Sequence, residues 1–78
     1  MLIINNMKKD LLLKLGQKIR YERMKQNLSQ EALADLADLS MTSISLLETG
    51  TSNIKFLSLY KIAKALGLNL GDFSDFKL

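Results

Sequence analysis

The chemistry open to this chain is that of hydroxyls, amides and amines. Between Gln26 and Lys55 it holds Ser29, Gln30, Ser40, Thr42, Ser43, Ser45, Thr49, Thr51 and Asn53, and neither lysine nor arginine. Histidine and cysteine are absent from the sequence, which removes the commonest metal ligand, the commonest general base and the thiolate nucleophile together. Serines, aspartates and lysines remain. No glycine-rich phosphate loop accompanies them, and a chain of 78 residues has no room for a deep pocket, so nothing assembles an activated nucleophile. Hydrolytic triads, zinc sites and cofactors are not expected, and the protein is not expected to be an enzyme.

The charges are unevenly placed. Lys8, Lys9, Lys14, Lys18, Arg20, Arg23 and Lys25 fill the first third, and Lys55, Lys61, Lys64 and Lys77 the last. The stretch between them carries only Glu31, Asp35, Asp38 and Glu48, a charge of −4 within a total of +3. The total leans modestly toward an anionic partner.

One small core must hold these residues in place, since a chain this short buries only about 60 to 65% of its unfolded surface. Apolar residues make up 47% and charged residues 24%, which suits a globular domain. With no cysteine, packing alone must stabilise it, as in a reducing cytosol. The apolar start Met1–Ile4 lacks the flanks and length of an export signal, and no apolar run approaches the ~20 residues of a membrane span. A soluble, cytoplasmic protein is expected.

There is no proline, and the glycines number four. Period-two alternation is nowhere sustained, so the chain reads as helices joined by short turns, an all-α fold. Leu12, Leu15 and Ile19, with Met24 beyond, predict a first helix from about Lys8 to Lys25, after a flexible segment 1–7. Asn27 is a left-handed stop, and Ser29 caps a second helix from Gln30 to about Ala37 with Glu31 in its first turn. Asp38-Leu39-Ser40 is a tight turn, and Ser40 caps a third helix from Met41 to Thr49 that Gly50 ends. Phe56, Leu59, Ile62, Ala63 and Leu66 predict a fourth, stopped by Gly67. A short fifth covers Asn69 to Phe73, before a tail 74–78 that frays. The domain is thus residues 8–73.

Two helices joined by so short a turn form an angled pair, which is what a reader of the DNA major groove needs, because the groove admits one helix. Ala34 is small enough for the crossing, and Leu33, Ala37, Leu39, Ile44 and Leu47 supply its apolar contacts. With Ile44 and Leu47 inward, Thr42, Ser45, Leu46 and Thr49 turn outward, with Met41 and Ser43 near the leading end.

The segment Leu28-Ser-Gln-Glu-Ala-Leu-Ala34, with Leu39-Ser40, Ile44-Ser45, Leu47-Glu48, Gly50 and Lys61-Ile-Ala-Lys-Ala-Leu-Gly67, resembles the lambda-repressor/Cro-like (XRE) helix-turn-helix family from about Leu15 to Phe73. The resemblance implies a compact five-helix domain and a stand-alone transcriptional regulator similar to restriction-modification controller proteins. It implies backbone contacts to double-stranded DNA from Ser29 and Gln30, with Gln30 also able to brace the recognition helix, and base contacts from the third helix. Ser40, Met41, Thr42, Ser43, Ser45, Leu46, Thr49, Thr51 and Asn53 complete the expected interface. Arg23 and Glu48 match a pair that bridges the first helix and the end of the recognition helix in some members.

This sequence departs from the family at three places. Asp38 stands where glycine is usual at a positive φ, which aspartate tolerates less well. Lys55 stands where serine or threonine commonly caps the fourth helix, so either Asn53 or Ser52 takes that task or the helix end is looser. Leu46 and Thr51 are neutral where arginine or lysine is frequent. Phosphate contacts then fall to hydroxyls, Gln30, Asn53, helix N-termini and peripheral lysines such as Lys18 and Lys55, and binding should depend weakly on salt.

One recognition helix covers only a few base pairs, so a two-fold homodimer is expected. Leu70, Phe73 and Phe76 are the candidates for its interface. Two other readings use the same fold: an antitoxin that represses its own operon while holding a toxin, and an adaptor in which Met41 and Leu46 meet a protein.

Overall fold

The computed structural model describes residues 2–73, and the side chains from Lys9 onward. Four α-helices, α1 (Leu2–Lys25), α2 (Gln30–Ala37), α3 (Met41–Glu48) and α4 (Phe56–Leu66), are followed by a 3-10 turn, Leu70–Phe73. The described residues contain no strand. The fold is all-α, with a single 3-10 turn where a fifth helix was expected. Helix α1 begins six residues ahead of its expected start, taking in residues assigned to a flexible segment. No proline or glycine precedes Gly16, so nothing in the sequence stops helical hydrogen bonding from propagating upstream.

Each turn is made by a residue able to adopt the left-handed region. Asn27 (φ 58°) closes α1, Asp38 (φ 57°) closes α2, and Gly50 (φ 71°) and Gly67 (φ 73°) follow α3 and α4. At Asp38 the chain turns within three residues, with the Leu39 amide donating to the Ala34 carbonyl at 2.9 Å. Ser29 and Ser40 cap α2 and α3, their hydroxyls accepting from the Ala32 and Ser43 amides. Lys55 at the head of α4 makes no such bond, and no side chain replaces it.

The core joins all four helices and the 3-10 turn: Ile19, Leu33, Ala34, Ala37, Ile44, Leu47, Ile62, Ala63, Leu66 and Phe73. Ala34 and Ala37 are buried on α2, and such small side chains let a neighbouring helix approach closely. Two residues expected in the apolar stripes are exposed instead. Met24 is 54% exposed because it lies about 140° round the helix from Ile19. The inward positions there belong to Glu22 and the half-buried Arg23. Phe56 is 72% exposed, since it is the first residue of α4 and stands beyond the core layer.

Candidate nucleic-acid interface

The end of α3 is held by a polar junction built from three helices. Arg23 of α1 donates from Nε to Glu48 Oε2 at 2.6 Å and from the second amino group to Oε1 at 3.0 Å. Its remaining amino group donates to the Leu28 carbonyl at 2.7 Å. Gln30, the first residue of α2, donates from Nε2 to Glu48 Oε1 at 3.2 Å. The carboxylate is buried and the guanidinium nearly so, which makes the bidentate pair a rigid link rather than a solvated contact. Glu48 therefore points into the protein, and its charge is neutralised away from the α3 outer face.

Gly16 completes the junction. A Cβ there would clash with the Leu47 carbonyl oxygen and lie 2.7 Å from that of Glu48. Only glycine lets α1 pass this close to the last turn of α3. The sequence offered a cue, an isolated glycine inside a helical pattern, but not the element it touches. Glu22 and Gln26 were also missed. Glu22 is buried and ion-paired to Lys18 (3.1 Å) and Lys25 (3.2 Å), and Gln26 donates to the Leu66 carbonyl at 2.7 Å, tying the turn after α1 to the end of α4.

With Ile44 and Leu47 buried, the opposite side of α3 faces outward. Met41 (51%) and Leu46 (43%) are well exposed, as is Thr42, while Ser43 and Ser45 are half-buried. Ser29 and Ser40 are exposed caps, and Ser40 also donates to the Ser43 hydroxyl at 2.8 Å. Thr49 and Thr51 are exposed, but their hydroxyls are engaged. Thr49 Oγ1 donates toward the Ser45 and Leu46 carbonyls, Thr51 Oγ1 toward the Leu46 carbonyl, and the two oxygens are 2.9 Å apart. Their protons close the carbonyl end of α3. Asn53 is exposed in the linker, beside a cleft of about 300 Å³ lined by Ser43, Leu46, Ser52 and Lys55.

A two-helix unit with a three-residue turn, its second helix pinned from behind and open in front, is the geometry of a groove-reading element. The sequence comparison decides the family: a model described as helix-turn-helix matches residues 19–73. The chain belongs to the helix-turn-helix family. Among its relatives, the control protein C.BamHI of Bacillus amyloliquefaciens is 45% identical over 71 residues, covering 90% of this chain and 88% of that protein. The restriction-modification controller protein C.AhdI from Aeromonas hydrophila superposes with a TM-score of 0.78 at 34% identity, covering 80% of this chain and 94% of that one. The clp gene regulator ClgR from C. glutamicum superposes with a TM-score of 0.76 at 26% identity, covering 82% and 83%. These helix-turn-helix relatives are regulators, not enzymes. No described helix is long and apolar enough to cross a membrane, and no described cluster of acidic side chains could hold a metal ion.

Of the residues assigned to a dimer interface, Phe73 is 2% exposed and belongs to the core of its own domain. A side chain so covered offers no surface to a second copy, which corrects that expectation. Leu70 is half-buried against the same core, and Phe76 lies outside the described residues.

Proposed function

We propose that this protein is a transcriptional regulator that binds specific double-stranded DNA sequences as a homodimer, with α3 in the major groove. One observation carries the reading. The Arg23–Glu48–Gln30 junction fixes α3 from its buried side and leaves Met41, Thr42, Ser45 and Leu46 outward on a neutral face. The family membership and the controller-protein relatives support it. Ser29 and Gln30, at the head of α2, stand where a helix N-terminus can meet a phosphate.

The homodimer belongs to the same proposal. Leu57 and Tyr60 on α4 are exposed, and with half-buried Leu70 they give that end of the domain apolar surface for a second copy. Phe73 takes no part in it.

The test is electrophoretic mobility shift with the DNA upstream of the protein's own gene, at two salt concentrations, alongside sedimentation. The expected result is a specific shift by a two-chain species, weakly weakened by salt. Binding no tighter than to unrelated duplex would refute the reading.

A further inference from the structure

The exposed face of α3 also limits which base pairs it can read. We propose that, given the DNA-binding reading above, the half-site beneath α3 is rich in A·T pairs, recognised chiefly through thymine methyl groups and adenine amino groups.

Three observations converge. Guanine is recognised in the major groove chiefly by arginine or lysine donating to O6 and N7. No such residue lies between Gln26 and Lys55, and the nearest guanidinium behind α3, that of Arg23, is committed to Glu48 and the Leu28 carbonyl. Next, the outer face presents two large apolar side chains, Met41 and Leu46. The thymine C5-methyl is the one apolar group on the major-groove edges.

The third concerns the protons of Thr49 and Thr51. Their hydroxyls carry two between them, and the Ser45 and Leu46 carbonyls and the hydroxyls themselves take both. What remains available outward is lone pairs. Turned this way, the oxygens suit the N6 amino group of adenine or the N4 amino group of cytosine as hydrogen-bond acceptors. Leu46 and Thr49 are three residues apart and neighbours on one helix face. A methyl and an amino donor occur together only in the A·T pair.

The test is selection of the full chain on a random duplex library. The best site is then titrated with each thymine of the half-site replaced in turn by uracil, for wild type and Leu46→Ala. The expected outcome is A·T at the positions protected by α3. At least one uracil substitution should weaken wild type about fourfold, the loss of one methyl contact, and leave Leu46→Ala unchanged. Fixed G·C pairs at those positions, or equal wild-type affinity for every uracil duplex, would overturn the inference while leaving DNA binding intact. A selection that enriches no duplex overturns the DNA-binding reading and the inference with it. The uracil arm uses unaltered protein, so it does not depend on the variant folding.

Discussion

Glu22 and Glu48 are both buried in this small fold, yet they do different work. Glu22 pairs with Lys18 and Lys25, neighbours on its own helix whose side chains remain partly in solvent. Glu48 pairs with Arg23, 25 residues away, and takes a further hydrogen bond from Gln30, so one carboxylate joins α1, α2 and α3. Depth of burial alone therefore says little about an ion pair. The Glu22 pairs could form in an isolated helix, whereas the Glu48 pair exists only when three helices have met, and it sets the angle at which α3 is presented. Each charge left alone in such a place costs several kcal/mol, which is why its partner matters more than the pair's net contribution.

The comparison can be broken from either side. Arg23→Ala strands Glu48 and should cost about 3 to 5 kcal/mol in chemical denaturation. Replacing both partners by apolar residues, Arg23→Met with Glu48→Leu, should recover most of that loss; no recovery would mean the junction contributes through more than satisfied charge. Gly16→Ala attacks the same junction sterically and should cost about 3 kcal/mol, the upper end for an overpacked site, because backbone carbonyls cannot rotate away.

Glu22→Gln should cost less than half of the Arg23→Ala loss at pH 7, since its lysines are screened by water. The Lys18 ammonium hydrogen-bonded to Glu22, helped by Lys25 and opposed by burial, holds its carboxyl below the usual carboxylate range. A carboxylate whose folded pKa is depressed stabilises the protein above its unfolded pKa and loses that contribution as pH falls through the folded value. Glu22→Gln should therefore flatten the decline of Tm with pH below about 5. An equally steep decline in the variant would deny the pairing. The smallest effect is expected at the α2–α3 turn, where Asp38 holds φ 57°. Asp38→Gly should raise stability by up to about 1 kcal/mol, and an unchanged or lower Tm would count against strain there.

Much of the α2–turn–α3 unit was legible in the sequence because its signals are local. Ser29 and Ser40 announce helix starts, Asn27 and Asp38 tolerate the left-handed conformation, and Ala34 marks a close crossing. The outward side of α3 followed from placing Ile44 and Leu47 inside. The misreadings occur where tertiary contacts decide. Met24 looked like core because apolar residues were counted, while the geometry of α1 gives its inner face to Glu22 and Arg23. Gly16 and Gln26 reveal their purpose only against Leu47 and Leu66, partners 31 and 40 residues away. The head of α4 is capped by neither Ser52 nor Asn53, a question the sequence left open. For Thr49 and Thr51 residue type was visible, but not that their protons are spent within the chain.

The central claim is that the surface held outward by the Glu48 junction is the one that meets DNA. Amide chemical-shift mapping during titration with the selected duplex tests it most directly. The account predicts perturbations concentrated at Ser29, Gln30, residues 40–49 and the 51–53 linker. Perturbations centred on Leu36, Leu57 and Tyr60, with α3 silent, would contradict it.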